Sequence, residues 1–282
     1  MTTLLAIQWR TAKVVLQREV EEVLANRWLL VYAALMGLLV IVVSYAGYRE
    51  LGQAAFQGLG RTTASLLGLA SLLVSVTSLV LGATAVVGER ERGTLATQLA
   101  QPISWEAFLV GKFLGQAMAL TMATSLGLGV GGLVVALLAP LDQAALMLVF
   151  LGLMVALGAA MLGTGYLVSV VAGDRVQALL GAVALWFWFV LVMDLVALGA
   201  VTAAHLNEAS LWVLLLLNPV EVVRLLAILW LEPDPFVLGP LGSFVRDILG
   251  VEAALAALAA ALLAWIIAPL GGAAALFRRQ EV

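Results

Sequence analysis

Long uninterrupted runs of apolar residues dominate the chain. Each run is at least as long as the roughly 20 residues that a helix needs to cross a bilayer. The runs do not alternate polar and apolar residues, as the strands of a membrane barrel do, so they predict helices. Six membrane-spanning helices are predicted, at residues 28–48, 64–87, 113–139, 144–172, 178–204 and 251–276.

The segment before the first span has a different periodicity. Apolar residues such as Leu5, Trp9 and Leu16 recur at helical intervals, and charged residues share another face. This pattern predicts an amphipathic helix within residues 1–27 that lies at the cytoplasmic membrane surface. A helical extension of the first span is the alternative. Residues 28–282 form the membrane domain.

Composition supports the same class of protein. Of the 282 residues, 64% are hydrophobic and 11% are charged, whereas a soluble domain carries about 25% charged residues. Cysteine is absent from the sequence, which excludes disulfides and thiolate metal sites. We therefore predict an all-α membrane protein with six transmembrane helices.

Basic residues are unevenly divided between the two sides that six spans define. Ten of the fourteen Lys and Arg residues fall in the chain ends and in the connections 88–112 and 173–177. Cytoplasmic loops carry such an excess of positive charge. Both termini are therefore predicted to be cytoplasmic.

Another apolar run lies before the last span and competes for a seventh crossing. Asn218 and Pro219 interrupt it, because proline disfavours helix at the preceding residue and suits the first position of a new one. Asn218 as cap, with Glu221 three residues later and Arg224 one turn further, resembles a capping box. We predict short re-entrant or extracytoplasmic helices in residues 205–250, and these four residues are candidates for an outer site.

The longest polar stretch follows the second span. A charged helix end, a turn at Pro102 and a second short helix capped by Ser104 would form a bracket outside the membrane. Such a bracket suits docking of a soluble partner, and an ordinary charged loop is the alternative. The candidate docking residues are Gly88, Glu89, Arg90, Glu91, Arg92, Gly93, Thr94, Pro102, Ser104, Trp105, Glu106 and Lys112.

This stretch also carries a family resemblance. Residues 88–95, followed by Gln-Pro-Ile-Ser at 101–104 and Leu-Val-Gly-Lys-Phe at 109–113, closely resemble the segment after the second span in permease subunits of type-2 ABC transporters. The amphipathic start and the helical pieces before the last span are similar too. Residues 217–226 and the acidic fifth span around Asp194 most resemble permeases of the copper-associated transporter for nitrous oxide reductase maturation.

The resemblance implies a non-catalytic permease in the cytoplasmic membrane of a bacterium or archaeon. Its segment 88–112 would contact two copies of a separate ATPase, which bind ATP and Mg²⁺, and a second copy of the chain would complete a homodimer. A periplasmic copper-binding or accessory protein would be a further partner. The chain has no phosphate-binding loop, since Lys112 is followed by Phe113, and we expect no cofactor in it and no nucleic-acid partner.

The residues leave two alternatives to this function. A permease of the same fold could export a lipid, a drug or a polysaccharide. A membrane-embedded enzyme would need clustered nucleophiles, acids or metal ligands, yet the chain has one histidine and no cysteine. The expected mechanism is mechanical, with ATP binding on the partner biasing the membrane dimer between two arrangements.

A few polar or soft residues lie within the predicted spans. Asp194 is the ionisable residue well inside a span, so it is a functional candidate, with a carboxyl group that fastens helices as the alternative. Met147, Met154 and Met161 recur every seven residues. Thioethers can bind Cu(I), but this spacing is equally that of a packing stripe, which we favour. His205 is expected to be an interfacial residue, with a metal ligand as the less favoured alternative.

Overall fold

The computed structural model describes residues 20–21, 27–50, 59–93, 105–138, 144–202, 207–231 and 240–279. Every regular element in these ranges is a helix, which confirms the all-α prediction. Most of the predicted surface helix in residues 1–27 lies outside the described residues. Thr94, Pro102, Ser104 and His205 lie outside them as well.

Six long helices correspond to the predicted spans. Spans one to six are Arg27–Glu50, Leu59–Ala83, Trp105–Leu138, Ala144–Val171, the combined helix Arg175–Phe187, Trp188–Val192 and Met193–Thr202, and Val251–Arg279. Each is about 36 Å long or longer, which exceeds the roughly 30 Å hydrocarbon thickness of a bilayer. Five are apolar enough over their described length to cross a membrane, and span one is apolar over Arg27–Val43.

The directions of spans five and six define two ends of the bundle. The ring of Phe108 stacks on that of Phe277 with 6.5 Å between centroids, and the Arg175 amide donates to Glu91 Oε1 at 2.7 Å. Glu89, two residues before Glu91, contacts Lys112 of span three. The starts of spans three and five and the end of span six therefore meet at one end, which we call the arginine-rich end. Span five leaves this end and span six returns to it. The connection between them thus begins and ends at the opposite end, which we call the hairpin end, and its described residues, 207–231 and 240–250, do not add a seventh crossing.

That connection contains a helical hairpin. Its two helices, Glu208–Leu216 and Pro219–Leu231, meet at a bend of 115°. Trp265 Nε1 donates to the Leu216 carbonyl at 3.1 Å, and Asn218 Nδ2 donates to the Phe189 carbonyl at 2.6 Å. Phe189 and Trp265 lie near the middle of spans five and six. The elbow of the hairpin therefore reaches the centre of the bundle and turns back, which is the re-entrant arrangement that the Asn-Pro break predicts.

The predicted start of span three, at residue 113, is wrong. A separate short helix was expected after Ser104, but Trp105–Leu138 is one continuous helix of 34 residues. At about 1.5 Å per residue it is roughly 51 Å long, so it extends beyond the hydrocarbon core. Residues 105–112 are its first two turns, at the arginine-rich end.

Glycines bring spans two and four into backbone contact. A Cβ atom at Gly82 would lie 2.3 Å from the Leu162 carbonyl oxygen, and one at Gly165 would lie 2.5 Å from the Leu79 carbonyl oxygen. No side chain fits at such distances. Small residues are what allow helices in lipid to approach this closely, and these two spans form the most extensive pair among the described helices.

We expect Gly165→Ala to destabilise the protein by about 1–3 kcal/mol, the usual cost of overpacking a core. The added methyl group meets backbone, which cannot rotate away. The thermal midpoint of the detergent-solubilised protein, followed by size-exclusion chromatography, measures the effect. Gly152→Ala in the same span is the matched control, because its Cβ meets no atom within 4 Å. Equal midpoints for the two variants would show that the backbone contact is unimportant.

Candidate functional site

Span two is followed by a short helix that is fixed to span four. The span ends at Ala83, and after one turn the short helix Val87–Glu91 begins. The amides of Val86 and Val87 both donate to Ser169 Oγ, at 2.9 and 3.0 Å. Amides at the start of a helix have no partner within it. The Ser169 hydroxyl supplies that partner and holds the short helix against span four.

Glu89, a predicted docking residue, is buried and joins the short helix to span three. The Lys112 ammonium lies 3.3 Å from Glu89 Oε1, and only 4% and 2% of the two side chains are exposed. Arg92, which is exposed, donates to the same oxygen at 3.2 Å. Gly88 beside it is buried as well. Glu89 and Lys112 therefore position the short helix and offer no surface to a partner.

The next charged residues attach the short helix to the connection between spans four and five. Arg90 Nη1 donates to the Ala172 carbonyl at 3.1 Å, and Glu91 Oε1 accepts from the Arg175 amide at 2.7 Å. Asp174 caps the first turn of span five. The short helix and this connection thus form one structured unit at the arginine-rich end.

Part of the exposed surface of this unit is what we call the charged patch. It consists of Glu91, Arg92, Gly93, Arg175 and Val176. Gly93 has a φ of 70°, a conformation that favours glycine, and ends the short helix there. Val176 is an apolar side chain with 66% of its surface exposed. The side chains of Trp105 and Glu106, predicted for the same site, lie outside the described residues.

At the hairpin end the structure brings together two acids and one arginine. Arg224 Nη1 lies 3.7 Å from Asp194 Oδ2 and also contacts the Glu221 carboxylate. Asp194 is 43% exposed and Arg224 is 33% exposed, whereas Glu221 is nearly buried. A charged side chain within a membrane requires a partner. Asp194 has one in Arg224, which comes from the second helix of the hairpin.

Asn218 is fully buried at the elbow and caps that second helix. Its Oδ1 accepts from the Val220 amide at 3.0 Å, and Pro219 takes the first helical position, where no amide hydrogen is needed. The capping box is not completed. The backbone amide of Asn218 donates to the Leu215 carbonyl of the preceding helix, and the Glu221 side chain pairs with Arg224 instead of with that amide.

Comparison with known proteins assigns the chain to a family. The family profile described as "ABC-2 family transporter protein" matches residues 13–282. The chain belongs to this family. It is similar to the "Probable ABC transporter permease protein NosY" of Pseudomonas aeruginosa, with 35% identity covering 98% of this chain and 99% of the relative. The protein of the same description from Stutzerimonas stutzeri is 36% identical, covering 96% and 98%.

Family membership gives the coarse function. The chain is the permease subunit of an ABC transporter, a multi-pass membrane protein, and permeases of this kind work with an ATPase subunit. Its fold agrees with that assignment, because the described residues provide long apolar helices and an ordered polar unit at one end.

Two of the three methionines considered for copper pack inside the permease. Met154 and Met161 are fully buried in the core, as a packing stripe would be. The Met147 side chain lies outside the described residues, as does His205. Among the residues that the structure describes, no group of three or more His, Cys, Asp or Glu side chains is arranged to hold a metal ion.

Two positioning groups carry no recognisable signal in the sequence. Ser169 stands in a long apolar span, where a small polar residue suggests helix packing. The Phe189 group that matters is its backbone carbonyl, which every residue has. Their roles are revealed only by contacts between distant parts of the chain. Ser169 contacts Val87, which is 82 positions away, and Phe189 contacts Asn218, which is 29 positions away.

Proposed function

We propose that this permease converts ATP hydrolysis by a separate ATPase into movement of its membrane helices. The charged patch would be the docking surface and would face the cytoplasm, with both chain termini on the same side of the inner membrane. The excess of basic residues at this end supports the orientation.

The observation that carries this proposal is the buried ion pair beneath the patch. Glu89 and Lys112 tie the short helix to span three, and Ser169 ties its start to span four. A partner that displaces the patch would therefore displace both spans with it. Packed helices change between discrete arrangements rather than deforming continuously, so such a push can switch the membrane domain between two states.

We also propose that two copies of the permease form the transporter. About half or more of the apolar stretch is buried within one copy for spans two, three and four, but only 11% for span five and 17% for span six. Spans five and six therefore have free apolar faces. A second copy against this side would bury part of that surface, and lipid would cover the rest.

The relatives support a more specific role. We propose a NosY-like transporter that acts in copper-site maturation of nitrous oxide reductase, together with a periplasmic copper-binding or accessory protein. Purifying the tagged permease from its native host tests this. An ATPase and a periplasmic copper protein should accompany it. An ATPase alone would favour the second candidate, an exporter of a lipid, drug or polysaccharide.

Docking at the charged patch is tested by Val176→Glu. A carboxylate placed in the centre of a protein interface loses its hydration, so we expect at least about a tenfold loss of ATPase binding, equivalent to about 1.4 kcal/mol. Affinity is measured by titrating the purified ATPase onto the permease in nanodiscs.

Arg279→Ala is the matched control for that titration. It changes the net charge by the same amount, and Arg279 is exposed at the arginine-rich end but lies outside the charged patch. Equal affinities for Val176→Glu and Arg279→Ala would overturn the assignment of the patch.

A further inference from the structure

Span five contains a π-helical turn, Trp188–Val192, near its middle. The amide of Met193 donates to the Trp188 carbonyl, five residues back. In a regular α-helix this amide would bond the carbonyl of Phe189. Asn218 Nδ2 donates to that carbonyl instead, at 2.6 Å. Asn218 in the hairpin elbow thus replaces the hydrogen bond that the Phe189 carbonyl loses in the π-turn. Such turns frequently occur at functional sites.

The same elbow is bound to span six. Trp265 Nε1 donates to the Leu216 carbonyl at 3.1 Å, at the end of the first hairpin helix. The Phe189 ring packs edge-on against the Trp265 ring, with centroids 5.4 Å apart. Asn218, Phe189, Leu216 and Trp265 together form what we call the elbow joint. It connects the hairpin to spans five and six at the centre of the bundle.

A second attachment lies closer to the hairpin end. Arg224, on the second hairpin helix, pairs with Asp194 of span five. Asp194 is five residues beyond Phe189, which is about 7.5 Å along a helix. A single contact would let the hairpin pivot, whereas two contacts along the span restrict both its position and its rotation.

We propose that Asn218 is a positioning residue that makes the hairpin move together with span five. Span five begins at Arg175 in the charged patch and reaches the elbow joint at Phe189 without a break in its helix. It is therefore a direct link from the docking surface to the hairpin. This inference rests on the proposed function, since the ATPase drives the movement. It adds the route by which that movement reaches the opposite end of the permease.

The variant Asn218→Ser separates this role from simple helix capping. Serine and asparagine are comparable caps, so the bond to the Val220 amide can be kept, but the shorter side chain cannot reach the Phe189 carbonyl. Asn207→Ser is the matched control. Asn207 caps the first hairpin helix through the Ser210 amide at 2.9 Å and is exposed.

Single spin labels can report the two movements separately. The sequence has no cysteine, so Leu195→Cys on span five or Val213→Cys on the hairpin gives a unique label at an exposed position. In a dimer of labelled copies, pulsed electron paramagnetic resonance measures the distance between the two labels. The complex with the ATPase is measured without nucleotide and with ATP and vanadate.

In the otherwise native permease, both label distances should shift between the two nucleotide states. In Asn218→Ser, the shift at Leu195→Cys should persist and the shift at Val213→Cys should become much smaller, because the Arg224–Asp194 contact alone lets the hairpin pivot. Asn207→Ser should behave as the native sequence does. The inference is overturned if the hairpin shift is undiminished in Asn218→Ser, or if either label is stationary in the native background. Failure of the ATPase to bind, or absence of any signal between copies, would instead refute the proposed function.

Discussion

Glu89→Gln is expected to destabilise the permease by about 3–5 kcal/mol, the cost of removing one member of a buried ion pair. Glutamine has almost the same shape as glutamate, so packing is retained and only the charge is lost. The carboxylate contacts both the buried Lys112 ammonium and the Arg92 guanidinium. The thermal midpoint in detergent and the yield of monodisperse protein measure the loss.

A double-mutant cycle tests whether the ion pair is the cause. Lys112→Met removes the other partner, and the double variant should lose less stability than the sum of the single variants. Contacting residues typically show coupling of about 0.5–3 kcal/mol. Glu91→Gln is the control, because this exposed carboxylate accepts a hydrogen bond whose net contribution is about 1 kcal/mol. Strict additivity, or an equal effect of Glu89→Gln and Glu91→Gln, would contradict this account.

Comparison of Glu89→Gln with Val176→Glu separates an effect on stability from an effect on docking. Glu89 has almost no exposed surface, so a Glu89→Gln protein that remains folded should bind the ATPase through an intact but poorly held patch. Its affinity should fall less than that of Val176→Glu, whereas its effect on stability should be larger. The buried Glu89 carboxylate and the exposed Val176 side chain thus have different expected signatures, although Glu89 helps to hold the patch to which Val176 belongs.

The spans and the hairpin break could be predicted from the sequence because their causes are local. An apolar run of about 20 residues needs no partner to be recognised as a span. Proline at position 219 excludes a continuous helix by its own stereochemistry, whatever surrounds it. The continuous start of span three was missed, because the capping signal at Ser104 indicates where a helix starts but not where it ends.

The arrangement of the site could not be predicted, because its causes are distant in the chain. Glu89 lies in a charged run that suggests a solvated loop, and its burial depends on Lys112, 23 residues later. The π-turn lies in an apolar helix and is stabilised by Asn218, 29 residues away. The periodicity of a short stretch of sequence therefore predicts neither the burial of Glu89 nor the π-turn.

Arg224→Met is expected to be the most damaging change at the hairpin end. It removes the guanidinium that Asp194 and Glu221 share and leaves two carboxylates of like charge in an apolar surrounding. We expect a loss of about 1–3 kcal/mol, below the figure for Glu89 because Asp194 and Arg224 are partly exposed. The second hairpin helix should loosen from span five beyond the elbow, where Asn218 still bonds Phe189, and increased protease cleavage and a lower thermal midpoint would report this.

The electrostatic cause predicts which second changes restore stability. Neutralising the acids in the triple variant Arg224→Met, Asp194→Asn, Glu221→Gln should recover most of the loss, since no like charges remain. Arg224→Lys keeps the charge but replaces the guanidinium, whose Nη1 contacts both carboxylates, by a compact ammonium group, so it should be intermediate. If the triple variant is as unstable as Arg224→Met, packing of the arginine stem holds the hairpin. Asp194→Asn alone should cost less than Arg224→Met, because the guanidinium would still be held by Glu221.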